Sequence, residues 1–558
     1  GRVPPIPILA GLRDEAVGIN GFFQSLCVQT PVGADATTQI TLLQALLDRH
    51  DLLRARLDRA DDWALQVPEP GSVAAADLLR TVPAPDDPAA LAALLDACED
   101  DAVGRLDPDR GVMVQAVFVD AGPARRGRLL LVAHHIVVDG VSWRIVGEDL
   151  AALWRQHQDG RPLAPEPVPT SFRGWAEALH REAGRDERLA ELPRWRDELA
   201  PRDLCPIGDR PLDPARDTVG TTRSSTVTVP PAVTRRLLGA VPAAFGGTVN
   251  DVLLTALAVA LRGDRGEGAV LVDLEGHGRE GAAVDETVDL SRTVGWFTTI
   301  APVRLDPGPV EWVEFLDGGA PMAAAAKRIR TGIEARRDRG IGYAALRHLH
   351  PDRAQAWAGT ATPAVLFNYL GRFGTGDDPE GQDWGLAPER PALGERADPD
   401  TAAGYPLEIN AAVTDGATGP SLSATFSWPD GVLAEGQVAT IALRWSAALE
   451  ALAEHAPPPG GWGPSPADFP LVDLTQPDVD ALAATVAGGL ADVWPLTPLQ
   501  QGMYFHSRYH LHSDADPDGY IVQYVLELAG PLTQEQLRDG LAALTARHPA
   551  LRASFHET

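Results

Sequence analysis

Arg128–Trp143, "RLLLVAHHIVVDGVSW", is the stretch on which the reading of this chain turns. Arg128–Ile136 is a nearly continuous apolar run, as expected of a strand buried on both faces. Just upstream, Val112–Asp120, "VMVQAVFVD", is rich in β-branched residues, and the turn-rich "AGPARRG" joins the two. They read as adjacent strands of a hairpin. After Asp139-Gly140 the period changes. Val141, Ile145, Leu150 and Leu153 share one broad helical face, and Asp139 or Ser142 is placed to cap the helix start. Two adjacent histidines therefore close a strand, and Asp-Gly turns the chain into a helix.

That geometry narrows the chemistry. Successive strand residues point to opposite faces, so one of His134 and His135 belongs to the scaffold and the other faces a cavity. This argues against a metal site built from the pair, and no HExxH helix occurs. A serine hydrolase needs its nucleophile on a GxSxG elbow, which is absent; Ser142 suits a cap better. What fits is a histidine base beside a helix N-terminus, which favours developing negative charge, as in acyl chemistry. An ion pair to an arginine, holding the loop, suits Asp139 better than catalysis.

Three further stretches carry polar groups at strand ends. In "LEGHGRE", Leu274–Glu280, a strand runs into Glu275, a candidate acid/base if burial raises its pKa. In "FNYLG", Phe367–Gly371, Asn368 and Tyr369 end an apolar strand. In "SRTVGWFT", Arg292 and Trp296 are candidate tunnel-lining residues.

The 558 residues hold 48 Lys and Arg against 77 Asp and Glu, a net charge of −29. So acidic a surface repels phosphate backbones and anionic headgroups, which argues against nucleic-acid and membrane partners. Three widely spaced cysteines without a CxxC suit a reducing, cytoplasmic setting. There is no apolar run of ~20 residues, and "DVLLTALAVALRG", Asp251–Gly263, reads as a buried helix. The N-terminal "GRVPPIPILAG" lacks a signal peptide's apolar core and looks like a cut inside a larger chain.

Residues 157–225 are rich in Pro and Arg and read as a connection between two α/β lobes. A Pro/Gly-rich linker starts near Pro457. Beyond it lies a repeat: "RHDLLRARL", Arg49–Leu57, returns as "RHPALRASF", Arg547–Phe555, at an offset of 547 − 49 = 498. Val493 is thus expected to open a second copy of the first domain, cut after about 66 residues.

Taken together and in order, "HHIVVDGVSWRIVGEDL", "EGHGRE", "TVGWFTTIAPV" and "LFNYLGRF" resemble the motifs of an epimerization domain of a nonribosomal peptide synthetase. "VWPLTPLQQGMYFH", Val493–His506, resembles the opening of a condensation domain. The resemblance implies an α/β fold (an α+β sandwich) of two chloramphenicol-acetyltransferase-like lobes in a V-shaped pseudo-dimer, with a partial third lobe at the C-terminus. The expected division is 1–205 and 206–456 for the lobes, 457–492 for a linker and 493–558 for the truncated condensation domain.

The implied reaction inverts the α-carbon of an aminoacyl or peptidyl thioester. The thioester sits on the phosphopantetheine arm of an upstream peptidyl carrier domain, and a condensation domain continues downstream past residue 558. His135 and Glu275 are the implied acid/base pair. His134, Asp139, Gly140, Asn368, Tyr369 and Arg279 support the loop or the oxyanion, Arg279 pairing with Asp139 or with Glu275. Ser142, Trp143, Arg292 and Trp296 line the substrate tunnel, and no metal or redox cofactor is needed. The first segment, "PIPILAGLRDE", departs from the family's PIQxWF-like pattern. The competing readings are a condensation-type transferase and a catalytically weakened docking domain.

Overall fold

The computed structural model describes residues 1–15, 19–263, 268–373, 383–416, 418–486, 489–510, 520 and 522–556. It divides into two compact units, Gly1–Trp462 and Gly463–Thr558.

The hairpin read from the sequence is the centre of the first lobe. In chain order its elements are α1 (Pro7–Glu15), β1 (Phe23–Gln29), α2 (Ala36–Arg49), β2 (Leu79–Pro83), α3 (Pro88–Val103), β3 (Val114–Asp120), β4 (Arg128–His134) and α4 (Gly140–Gln158). β3 and β4 pair antiparallel, and β4 pairs antiparallel with β1. β4 is apolar from Leu129 to Ala133 because both its faces are covered. Leu129, Leu131 and Ala133 pack in one cluster with residues of α2 and α4, while Leu130 and Val132 pack in another with residues of α3. Trp175 and Trp195, inside the expected connection 157–225, lie in helices Phe172–Glu182 and Leu192–Glu198 and are fully buried.

The second lobe comprises β5 (Thr222–Val229), α5 (Val249–Arg262), β6 (Val270–Gly276), β7 (Thr299–Leu305), α6 (Gly319–Glu334), β8 (Val365–Phe373), β10 (Leu407–Gly416), β11 (Gly419–Pro429) and α7 (Glu435–His455). Its six strands run in the order β7-β6-β8-β10-β11-β5. The sequence alternates as a sheet with two unlike faces requires. In β11, Leu422, Ala424, Phe426 and Trp428 pack against α5, α6 and α7, while Ser423, Thr425 and Ser427 occupy the other face. α5 is buried all round, from Asp251 to Arg262, as the helix under one sheet face must be. Among the described residues no single helix is long and apolar enough to cross a membrane.

A short strand, β9 (Gly394–Arg396), lies between β8 and β10 in sequence but adds to the first lobe's sheet, whose order is β9-β1-β4-β3-β2. The residues before it already run beside β1: Ala387 N–H donates to Cys27 O at 2.9 Å, and Arg128 holds Glu389 by two 2.8 Å hydrogen bonds. The expected boundary at 205/206 is therefore crossed by residues 384–396, which serve the first lobe.

The second unit contains helices α8 (Gln476–Thr485), α9 (Pro498–His510) and α10 (Gln534–Arg547). Residues 522–529, "VQYVLELA", have strand-like composition yet form no strand, and Tyr524 and Val525 are exposed. At the 498-residue offset they match β1, whose ladder is completed by β4 and β9. A strand without neighbours leaves its backbone groups to water.

Leu254→Ala in α5, where the side chain is inaccessible, should lower the unfolding free energy of the first unit by ~2–5 kcal/mol. Leu443→Ala, on the exposed face of α7, should change it by less than ~0.5 kcal/mol. Denaturant titration of both variants checks the expected contrast.

Candidate active site

His134 and His135 diverge at the end of β4. His134, the last strand residue, is fully buried. Its Nε2–H donates to Ile19 O at 2.8 Å and its Nδ1 accepts the Ile136 N–H at 3.3 Å. With both ring nitrogens engaged and burial pushing its pKa down to about 4, it stays neutral and is a structural post.

His135 opens the 3-10 turn His135–Val137, so the strand ends two residues earlier than the apolar run. Its ring stacks on Phe22, with centroids 4.5 Å apart, and tilts against Trp296 at 4.9 Å. Its Nε2 lies 2.9 Å from Gln24 Nε2 and 3.4 Å from Glu395 Oε1. Its Nδ1 is buried, and Trp296 Nε1 is buried with no hydrogen-bond partner among the described residues. Burial works against the charged imidazolium, but the hydrogen bond and charge of Glu395, a hydrogen bond to its own backbone and the charge of Glu275 raise the pKa of His135 overall.

Glu275 sits near the end of β6, opposite Ile300 of β7. Burial first, then the charges of Glu395 and Glu408, push its pKa up to about 7, while His135 pulls the other way. A histidine from the first lobe and a glutamate from the second thus sense each other's charge, and the pKa of each is raised.

Asp139 and Arg279 lock this arrangement. Arg279 Nη2 donates to Asp139 Oδ1 at 2.9 Å and to Oδ2 at 3.1 Å, and both side chains are less than a tenth exposed. Asp139 rather than Glu275 is therefore the partner of Arg279. Asp139 also caps α4 by accepting the Ser142 N–H at 2.7 Å. Arg279 Nη1 donates to the Leu290 and Thr293 carbonyls, and its guanidinium lies 4.0 Å over the Phe297 ring. Gly278 allows the chain to enter here: its φ is +63°, and a Cβ would collide with the Phe297 carbonyl.

The remaining expected residues fall into place around this lock. Ser142 is fully buried between Asp139 and the Gly295 backbone, so it joins two segments and does not line a tunnel. Arg292 is turned to α4 and its surroundings, pairing with Glu148 at 2.6 Å and also with Asp149; it too is a brace and not a lining residue. Trp143 is buried, and its Nε1–H donates to Gln24 Oε1 at 3.0 Å, one step behind His135. Gly140 opens α4 at an exposed position. Tyr369 packs against the helix-covered core in register with Ala411, whereas Asn368 is paired with Asn410 on the face that also carries Asp273 and Glu275. Alternation thus sends Tyr369 away from Glu275's face and keeps Asn368 on it. Gln24 and Glu395 are site residues that sequence reasoning missed. Gln24 lies in an apolar strand, where a lone buried amide is a usable signal; "GER" offers none.

Two outcomes follow. Arg279→Ala leaves Asp139 buried without a cation and should cost ~3 kcal/mol or more, measured by urea unfolding; a loss below ~1 kcal/mol would contradict the lock. Glu275 has a native pKa of about 7 against an ordinary 4.5. Ionising it therefore penalises the native state above pH ~7, and the penalty vanishes below pH ~4.5. Glu275→Gln should raise stability by ~1–3 kcal/mol at pH 8, with the gap closing toward pH 5. Thermal unfolding at the two pH values reads the difference.

Comparison with known proteins agrees with this geometry. The condensation-domain family profile matches residues 18–459 and again residues 490–558. Linear gramicidin synthase subunits C and D of Brevibacillus parabrevis are 32% identical over 562 residues and 33% over 563. Those alignments cover all of this chain but only 7% and 10% of the subunits. Among solved structures, the epimerization domain from the third module of tyrocidine synthetase B is similar. It has 25% identity and a TM-score of 0.68, with 82% of this chain and 98% of that one covered. The X-domain from teicoplanin biosynthesis, at 19% identity and a TM-score of 0.57 over 82% of this chain and 96% of that one, shares the fold. Both the profile and the arrangement of two lobes place this chain in the condensation-domain family.

Proposed function

We propose that the first unit inverts the α-carbon of an aminoacyl or peptidyl thioester, carried on the phosphopantetheine arm of a peptidyl carrier domain, within a nonribosomal peptide synthetase. The observation that carries this reading is Glu275. It is a carboxyl with a pKa of about 7, coupled to a histidine of the other lobe. Amide formation gives such a group no task, whereas inversion needs two acid/base groups on opposite faces of the substrate carbon. The likeness to a tyrocidine synthetase epimerization domain and to gramicidin synthase subunits supports the same reading.

In this scheme one group removes the α-proton. The C–H electron pair delocalises into the thioester carbonyl as an enolate. The other group then delivers its own proton to the opposite face. His135 and Glu275 end each turnover with their protonation states exchanged and re-equilibrate with water. Trp296 Nε1–H, buried and without a partner beside His135, is a donor for the enolate oxygen. Tyr369, which packs on the helix-covered face of the sheet, is turned away from this role.

The family profile also covers domains that form peptide bonds, so the test carries both reactions. A carrier loaded with an L-aminoacyl thioester is incubated with the protein, and the released residue is resolved by chirality. The D form should accumulate. His135→Ala and Glu275→Gln should each slow its appearance by ~100-fold or more. Retention of the L form, with amide formed when an acceptor carrier is supplied, would overturn the proposal in favour of condensation.

A further inference from the structure

Two scaffold groups meet one nitrogen of His135. β9 pairs with β1 so that Glu395 stands opposite Gln24, and cross-strand partners share a face. Trp143 sets the Gln24 amide from behind. Its indole N–H can only donate, and it reaches Gln24 Oε1 at 3.0 Å. The amide nitrogen therefore faces forward, 2.9 Å from His135 Nε2 and 3.3 Å from Glu395 Oε2. An amide nitrogen has no lone pair to offer, so neutral His135 accepts at Nε2 and carries its proton on Nδ1. The ring's hydrogen bond to the His135 backbone agrees, because only Nδ1 can reach that residue's own main chain.

The Nε2 lone pair is thus covered before any substrate arrives. A base that takes an α-proton needs that lone pair free, and once it is protonated the new N–H opposes the amide N–H. Glu395 offers both groups an acceptor. Its Oε2 already lies within reach of the amide nitrogen, and its Oε1 lies 3.4 Å from His135 Nε2. When Nε2 gains a proton, the new N–H turns to Oε1 and the amide keeps Oε2. Gln24 therefore favours the neutral ring and Glu395 the charged one, at the same nitrogen. This is also the side of the ring that opens outward: the Glu395 side chain is 57% exposed against 7% for His135. The remaining neighbours do not compete for Nε2. Phe22 and Trp296 pack on the ring, His134 is engaged by Ile19 and Ile136, Asp139 is neutralised by Arg279, and Glu275 acts through its charge.

We propose that Gln24 is a positioning residue that acts as a removable cover on the His135 Nε2 lone pair, closed in the empty site and opened by yielding to Glu395 when substrate presents its proton. The step balances. The α-C–H electron pair passes into the thioester carbonyl, the proton forms the Nε2–H bond, and that hydrogen takes Glu395 Oε1 as its acceptor. Between turnovers the cover keeps the base neutral although a carboxylate stands beside it. The inference rests on the epimerase reading for its kinetic consequence but not for the cover itself. It also gives separate tasks to two features of the fold: β9 brings the carboxylate that opens the cover, and Trp143 fixes which end of the amide faces the base.

The test titrates the full chain labelled with 15N-histidine, with the His135 resonances identified by their loss in His135→Ala. In the parent, neutral His135 should show Nδ1 protonated and Nε2 unprotonated. Gln24→Met keeps the bulk and removes the N–H, and should raise the His135 pKa by ~1 or more. Trp143→Phe leaves the amide free to turn its oxygen to the ring, and should raise it as well. Glu395→Gln should lower it. Loss of packing alone does not produce this order. With an L-aminoacyl thioester on its carrier, the limb of the pH–rate profile that belongs to neutral His135 should move to higher pH in Gln24→Met and in Trp143→Phe. The rate on that limb should fall by up to ~10-fold. A neutral parent ring with its proton on Nε2, or a His135 pKa unchanged or lowered in either of these two variants that folds, would overturn the cover. A parent that inverts no substrate would instead overturn the epimerase reading, and the titration would still decide whether Gln24 covers the base.

Discussion

The Asp139–Arg279 ion pair joins the two stretches of sequence on which the site depends. Asp139 ends the loop after the two histidines and caps α4; Arg279 follows Glu275 by four residues in the other lobe. A buried ion pair is a weak source of net stability, because desolvation offsets much of the attraction. Its value lies in geometry. The carboxylate accepts from Arg279, Ser142 and the Phe297 backbone at once. These bonds fix the start of α4 against the segment that carries Trp296, and Trp296 in turn packs on His135.

Around that lock, burial and neighbouring charge set the proton affinities of the site's groups. Glu275 is raised by partial burial and because Glu395 and Glu408 add negative charge. His135 resists the downward pull of burial because Glu395 stands beside it. His134, equally buried but bound through both ring nitrogens to neutral partners, goes the other way. Adjacent histidines thus differ because of what each ring touches, which their order in the chain does not state.

How much of this was legible in the sequence depended on whether the signal was local. The β3–β4 hairpin and the turn into α4 are written in composition and period, and the polar side of β11 in strict alternation. The same alternation, applied to "VLFNYLG", separates Asn368 from Tyr369, because Val365, Phe367 and Tyr369 form the apolar series. Ser142, Trp143 and Arg292 looked like lining residues because they neighbour the motif, but their partners lie far along the chain: Gly295, Gln24 and Glu148. Glu395 was invisible for the same reason, being 371 positions from the Gln24 that it joins at His135. The segment 522–529 shows the converse: a legible strand pattern without neighbouring strands makes no strand.

The central claim is that two groups on opposite faces exchange the α-proton, and isotope flow reports this directly. Single turnovers of the L- and the D-aminoacyl thioester on its carrier are run in D2O and quenched early, and each enantiomer is analysed for α-deuterium. Two groups acting from opposite faces predict deuterium in the newly formed enantiomer from either direction and almost none in the recovered starting enantiomer. Equal labelling of recovered starting material and product, or inversion with full retention of the original hydrogen, would contradict it.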